Sequence, residues 1–171
     1  MPRTRQLLRR EITYTSAKEE EVNILHQLGY YDKQIQFFTY LNNNRDWIKK
    51  AIVHHLNLKA SDVHVSDIDD WLHGSFNVCI PVTVGTRSPK RVILRLPLPY
   101  KVGEDFIPGN GDEKVRCEAG TYAWLQENCP DVPIPEYMGL ASRLMKLYKT
   151  HALFLLTPLI DISLLALKTC P

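Results

Sequence analysis

The chain has 171 residues, of which 44% are hydrophobic and 23% charged, a composition typical of a folded globular protein and not of a disordered one. This length suffices for one ordinary domain or for one lobe of a larger protein. The formal net charge of +2 argues against nucleic acid as a partner. The sequence also lacks the aromatic-rich sheet motifs of RNA-binding α+β proteins, which makes that class the least favoured.

The cysteines and the most apolar stretch bear on metal binding, on the cellular location and on membrane association. The four cysteines are Cys79, Cys117, Cys129 and Cys170. They form no C-x-x-C pair, so we predict no zinc site and four reduced thiols. The absence of a signal-peptide pattern at the start predicts a cytoplasmic location. The apolar stretch 152–167 contains Pro158 and Asp161 and is shorter than the ~20 residues that span a bilayer, so a buried strand or helix is predicted and no membrane partner.

The first part of the chain is polar and weakly periodic. We expect residues 1–43 to form a loosely ordered or helical extension, with the least periodic part running to about residue 33. Basic residues near its start are followed by acidic residues 19–21, which favours a solvated segment over a nucleic-acid-binding arm. These basic residues are Arg3, Arg5, Arg9 and Arg10.

A helix is predicted directly after this extension. Asn44 can cap it, and it opens with Arg45, Asp46 and Trp47. It ends near Asn57, before a polar segment. Its apolar residues at helical spacing are Ile48, Ile52 and Leu56.

The apolar period then changes to that of strands. A run from Val63 to Trp71 predicts a first strand, and a clean alternation of apolar residues over 78–84 predicts a second. Pro81 within the second strand predicts an edge position or a bulge. The turn residues 85–90 and the β-branched run 91–96 complete an antiparallel hairpin.

The remainder predicts a loop over 97–111, a helix from Asp112 to about Glu127, and two strands near 136–140 and 151–156. The order helix, strands, helix, strands predicts an α+β fold with an antiparallel sheet and a packed helix.

Three features carry chemistry. The turn Gly74-Ser75-Phe76-Asn77 between two strands offers backbone N–H groups to a phosphate, or is a plain hairpin turn. Arg95 is a cation within an apolar strand, which needs an anionic partner unless it reaches solvent along its own stem. Glu118 lies within the apolar stripe of its helix, and its partner is either Arg95 or Lys114. The stripe consists of Val115, Ala119, Tyr122 and Leu125.

The order of these features is that of the N-lobe of a kinase-like fold, in which a strand cation contacts nucleotide phosphates and a helix glutamate holds that cation. Four segments also resemble the fungal branch of the aminoglycoside phosphotransferase-like family. They are WLHGSFNVCIPV at 71–82, VILRLP at 92–97, DEKVRCE at 112–118 and WLQENCPDVPIP at 124–135.

The resemblance covers about residues 44–140 and implies a kinase-like N-lobe there. It implies that Gly74, Ser75, Phe76 and Asn77 form the nucleotide-binding turn, that Arg95 contacts the nucleotide and pairs with Glu118, and that ATP and Mg²⁺ are bound. The chain departs from the family in carrying arginine at Arg95, where these enzymes usually have lysine, and the two cations are not interchangeable near phosphate.

The family's catalytic segment, a His-x-Asp loop with a downstream Asn and a Mg²⁺-holding Asp, has no counterpart between Pro135 and Pro171. His151 is followed by Ala-Leu-Phe, and Asp161 has no partner for a metal site. We therefore assign no catalytic and no metal-binding residue. The sequence predicts a truncated N-lobe that is inactive alone, with a non-catalytic kinase-like interaction module as the alternative. Residues 141–171 match the family poorly and form an apolar tail through which self-association is expected.

Overall fold

The computed structural model of the protein describes residues 3–20, 24–142 and 152–156, with the backbone alone at 140–142 and 152–156. The chain divides into two compact units, Met1–Asn43 and Asn44–Pro171. Expectations for the tail beyond residue 156, including self-association, Cys170 and Asp161, lie outside the described residues, as does His151.

The first unit contains a small antiparallel ribbon and three helices. Its elements are β1 (Thr4–Gln6), β2 (Glu11–Thr13), α1 (Tyr14–Glu19), α2 (Ile24–Leu28) and α3 (Tyr30–Asn43). Leu7, Ile12 and Ile24 form one apolar cluster within it. The Thr13 hydroxyl accepts a hydrogen bond from the Ser16 N–H at 3.1 Å and so caps α1. The weak periodicity of residues 1–33 did not predict the ribbon, because most of its side chains are exposed and leave no alternation to read.

The second unit opens with the predicted helix, α4 (Arg45–His55). Its buried face consists of Ile48, Ala51 and Ile52, and the helix packs against the first strand of the sheet that follows. The predicted side-chain cap is wrong. The Asn44 backbone carbonyl accepts hydrogen bonds from Trp47 and Ile48, but its side chain makes no capping bond.

The described part of the second unit contains one antiparallel sheet, which confirms the predicted α+β class. Its strands are β3 (Val63–Val65), β4 (Leu72–His73), β5 (Asn77–Val84), β6 (Lys90–Pro97), β7 (Tyr137–Ser142) and β8 (Ala152–Leu156). Their order across the sheet is β3-β5-β6-β8-β7, and β4 pairs with β5 on the same side as β3. Two helices follow β6, namely α5 (Pro99–Val102) and α6 (Asn110–Asn128).

The predicted first strand is shorter than expected. It ends at Val65, and a 3₁₀ turn at Ile68–Asp70 interrupts the run before β4. The Trp71 indole N–H donates to the Ser66 carbonyl at 3.0 Å and closes this interruption. Short polar residues at 66–70 favour a local turn over a continued ladder.

The interruption between β3 and β4 lies opposite Pro81 of strand β5. Strand β5 is not an edge strand, because β6 pairs along its whole length and β3 and β4 share its other side. The Pro81 carbonyl accepts from the Ser66 N–H at 3.0 Å, so the missing N–H of Pro81 faces the same side, at the gap between β3 and β4. The predicted edge position is therefore wrong, and the break lies in the neighbouring strand.

The predicted hairpin β5–β6 is confirmed, with Val78 opposite Leu96 and Val82 opposite Val92. One face of this hairpin is fully apolar and buried. Its residues are Val78, Ile80, Val82, Val84, Val92, Leu94 and Leu96. The other face carries Cys79 and Arg95 as direct cross-strand partners. Helix α6 contacts β6, β7 and β8, and its buried Val115 and Ala119 pack with Tyr122 and Tyr137. No helix among the described residues is long and apolar enough to cross a membrane.

Candidate functional site

The glycine turn joins β4 to β5 and lies exposed at the end of the hairpin. Gly74, Ser75 and Phe76 are exposed, and the Gly74 N–H donates to the Asn77 carbonyl at 2.9 Å. Gly74 does not have a positive φ, and a Cβ built on it would meet nothing within 4 Å. The turn itself therefore does not require glycine. Because Gly74 has no side chain, a ligand can approach its backbone closely.

The structure brings Arg95 and Glu118 together across the sheet–helix interface. Arg95 Nη2 lies 3.5 Å from Glu118 Oε1, and the two side chains are 27% and 24% exposed. Lys114, one helical turn before Glu118, contacts the same Oε1. Both partners considered for Glu118 from the sequence are thus present at once, and one carboxylate serves two cations.

Lys114 extends this cluster to the glycine turn. Its Nζ donates to Asn77 Oδ1 at 3.1 Å, and Asn77 is buried. The side chain at the end of the turn is therefore held by helix α6. In the sequence Lys114 stands out only as an alternative partner of Glu118, and no pattern places it beside Asn77.

Glu118 retains unused acceptor capacity. Its second oxygen, Oε2, is buried and has no hydrogen-bond partner among the described residues. A carboxylate can accept at both oxygens, and a buried acceptor without a partner costs about 1–3 kcal/mol. The cluster of Arg95, Lys114 and Glu118 carries a formal charge of +1, so its surplus is positive.

Cys79 lies within the field of this cluster. Burial raises the pKa of the Cys79 thiol above its ordinary value; the Arg95 charge lowers it, Glu118 raises it and Lys114 lowers it, but burial has the largest effect. The Cys79, Cys117 and Cys129 thiols are free, as predicted.

A cleft of about 440 Å³ opens between the glycine turn, α5 and the first turns of α6. It is lined by Phe76, Lys101, Val102, Asn110, Glu113 and Lys114. Lys114 therefore belongs both to the charged cluster and to the wall of the cleft. The Phe76 side chain is 52% exposed and presents an apolar surface at the cleft.

Glu104 fixes the start of α6 beside the cleft. Its buried carboxylate accepts from the Gly109 N–H at 2.7 Å and from the Gly111 N–H at 2.8 Å. Gly109 has φ 105°, in the left-handed region that favours glycine. The sequence predicts a loop here and does not reveal the role of Glu104, because its separations of five and seven residues from its partners match no common capping pattern.

The family resemblance implies Mg²⁺, but the described part of the chain contains no group of three or more His, Cys, Asp or Glu side chains that could hold a metal ion. No protein-family model, curated protein or solved structure matches this chain. The geometry of the cluster and the cleft is therefore the basis for a functional proposal.

Proposed function

We propose that the second unit contains the nucleotide-binding N-lobe of a kinase-like phosphotransferase of the aminoglycoside phosphotransferase type. The observation that carries the proposal is the 3.5 Å approach of Arg95 on β6 to Glu118 on α6, on the sheet face that α6 covers. In kinase-like folds such a pair holds the cation that meets the nucleotide phosphates.

The arrangement of the elements supports the same proposal. An exposed glycine turn lies between two antiparallel strands, a second hairpin leads to the strand with the cation, and the helix with the carboxylate follows. Two further strands, β7 and β8, extend the sheet beyond β6.

The charges around the turn suit a polyphosphate. Two cations share one carboxylate, so their surplus positive charge attracts an anion that approaches the turn. The turn adds a backbone without a side chain at Gly74, where nothing lies within 4 Å of a built Cβ. Together these features can orient the phosphates of a nucleotide.

A titration of the full chain with ATP, followed by amide chemical shifts, tests the proposal. We expect the amide shifts of residues 74–77 and 114–118 to change. We expect a dissociation constant of about 1 mM or lower, which corresponds to a binding free energy of about 4 kcal/mol or more in favour of the complex. Gly74→Val places a branched side chain where the phosphates approach, and we expect it to weaken binding about tenfold or more without unfolding the chain.

Gly120→Ala is the matched control. Gly120 is an exposed glycine within α6 and its added Cβ also meets nothing within 4 Å, so this variant should bind ATP like the wild type. Equal affinity of the Gly74→Val variant, or no ATP binding by the wild type at millimolar concentration, would contradict the proposal.

We expect the 171-residue chain to show no phosphotransferase activity. Catalysis of phosphoryl transfer depends on positioning of the acceptor and on Mg²⁺, and the sequence contains no His-x-Asp loop. Turnover of ATP that an Arg95 substitution abolishes would contradict this expectation.

The alternative is a kinase-like lobe that binds a protein partner without a nucleotide. One observation favours it: Phe106 and Ile107 are adjacent, large and apolar, and are 73% and 62% exposed. This alternative predicts that ATP leaves the amide shifts over 74–77 and 114–118 unchanged, so the same titration separates the two functions.

A further inference from the structure

We infer that Lys114, on helix α6, is the residue that contacts the phosphates of a bound nucleoside triphosphate, and that Arg95 is a positioning residue that holds Glu118. The inference rests on the proposed function and assigns the phosphate contact to a helix residue instead of the strand residue.

The first reason is location. Lys114 belongs to the wall of the cleft of about 440 Å³, whereas Arg95 is not among the described residues that line it. Arg95 lies opposite Cys79 in the sheet, and its guanidinium is directed to Glu118. A ligand in the cleft therefore meets the Lys114 side chain.

The second reason is the donor count of Lys114. An ammonium group has three N–H donors. Two partners on the protein take two of them, Asn77 Oδ1 at 3.1 Å and Glu118 Oε1. These two contacts, one from the glycine turn and one from the same helix, fix the ammonium in place, and within the described residues they leave one donor for a ligand. A cation held in this way needs little ordering when an anion binds.

The third reason is the chemistry of the two cations. Arginine presents a planar fork that pairs with carboxylates as well as phosphates, and lysine is a compact point charge that also binds phosphate, so the contacts that each cation already makes decide its role. Arg95 stands at the strand position and approaches Glu118, while Lys114 reaches that same carboxylate oxygen from the helix. A lysine ammonium, that of Lys114, therefore lies beside the glycine turn, although strand β6 carries arginine at Arg95.

The cleft suits a nucleotide in size and charge. Its volume of about 440 Å³ lies within the range of roughly 300–1,000 Å³ that small-molecule sites occupy. Lys101 and Lys114 against Glu113 give its wall a formal charge of +1. The half-exposed Phe76 ring offers an apolar surface for a base or ribose, as aromatic rings do for stacked bases.

The test compares lysine and arginine variants of the full chain by titration with ATP, tripolyphosphate and adenosine. We expect Lys114→Met to weaken binding of ATP and of tripolyphosphate about tenfold or more and to leave adenosine binding unchanged. Arg95→Met should weaken ATP binding less than Lys114→Met does, and Arg95→Lys should restore it. Separate effects on the two halves of the ligand distinguish a phosphate contact from a general loss of structure.

Lys90→Met is the matched control. Lys90 is an exposed lysine that pairs with Val84, at the opposite end of the β5–β6 hairpin from the Asn77–Pro97 pair, and its loss should leave all three affinities unchanged.

A second measurement needs no variant. The Nζ resonance of Lys114 in the wild-type chain should shift when tripolyphosphate is added, and the Nζ resonance of Lys90 should not. This measurement decides the matter if Lys114→Met fails to fold.

The outcomes separate the two proposals. If ATP binds to the wild type, but Arg95→Met abolishes binding while Lys114→Met and the Lys114 resonance are unaffected, the assignment to Lys114 is overturned and the proposed function stands. If neither ATP nor tripolyphosphate binds to the wild type, the proposed function falls and the assignment falls with it.

Discussion

The Arg95 guanidinium lies 3.5 Å from the Glu118 carboxylate and joins strand β6 to the middle of helix α6. About three quarters of each side chain is removed from solvent, so water screens this pair less than a surface ion pair. Lys114 contacts the same carboxylate. The loss of unfolding free energy on substitution therefore depends on which member of the cluster is replaced.

Glu118→Gln is expected to destabilise the chain more than Arg95→Met does. The first leaves two partly buried cations without their anion and should cost about 1–3 kcal/mol of unfolding free energy. The second leaves Glu118 paired with Lys114 and should cost less. The double variant should cost less than the sum of the two single variants, since residues in contact are coupled. Urea denaturation of the four proteins measures these differences.

The Asp112–Arg116 pair on the same helix is the internal control. It has the same four-residue spacing as Lys114–Glu118, a separation of 2.7 Å, and an Arg116 side chain that is 61% exposed. Arg116→Met should cost no more than about 0.5 kcal/mol. A cost for Glu118→Gln no larger than this would show that the cluster contributes nothing to stability.

Glu104 is expected to be among the most sensitive carboxylates of the second unit. Glu104→Ala removes the acceptor from the Gly109 and Gly111 N–H groups, and we expect a loss of about 2–4 kcal/mol, since hydrogen bonds to charged groups contribute about 1.5–3 kcal/mol each. Glu104→Gln keeps one acceptor oxygen, so its unfolding free energy should lie between those of the wild type and Glu104→Ala. Thermal or urea unfolding measures the loss. Glu127→Gln, at an exposed position of α6, should stay within about 0.5 kcal/mol of the wild type.

Tyr100 predicts a loss of stability at alkaline pH. Burial raises the pKa of Tyr100 from 10.0 to about 12, so the unfolded chain ionises this phenol before the folded chain does. Its contribution to stability is fully present below pH 10 and is lost as the pH rises from about 10 through 12. The difference in unfolding free energy between the wild type and Tyr100→Phe should be constant below pH 10 and fall above it. A difference that stays constant to pH 12 would contradict the raised pKa.

Cys79 and Cys117 should react with alkylating reagents at different rates. Burial raises the pKa of the Cys79 thiol, which lowers its reactive thiolate fraction at neutral pH, whereas Cys117 is exposed on α6. Mass spectrometry of peptides after timed alkylation should show Cys117 modified first. The order should persist in the Gly120→Ala variant. Faster modification of Cys79 would mean that the cluster opens readily to solvent.

Hydrophobic periodicity predicted the elements of the second unit that bury a regular face. The alternation over 78–84 and the helical stripe with Val115 and Ala119 both correspond to buried faces of β5 and α6. Elements held by hydrogen bonds between polar residues were not predictable in this way. The 3₁₀ turn at Ile68–Asp70 and the Glu104 contacts leave no period in the sequence, because their partners are set by backbone geometry and not by spacing.

Only the charged residues of the site that lie within apolar elements could be predicted from the sequence. Arg95 is a charged residue in an apolar strand and Glu118 is one in an apolar stripe, and the structure brings them within 3.5 Å. Lys114 did not look out of place, since a lysine near a helix start is ordinary, and its contact with Asn77 joins residues 37 positions apart. Such a contact follows from the folded arrangement of sheet and helix alone.

The gap at Pro81 leaves strand β4 and the glycine turn with few backbone pairs to the rest of the sheet. Strand β4 is attached to β5 by two residue pairs, Leu72–Cys79 and His73–Val78, while β6 is attached by eight. Opening of β4 and the turn as a flap breaks these two pairs and the hydrogen bond from the Leu98 N–H to the Phe76 carbonyl at 2.8 Å, and segments with few such bonds open at low free energy. The amide protons of residues 72–76 will therefore exchange with solvent sooner than those of the β5–β6 ladder, and the flap can move toward a ligand while that ladder stays intact.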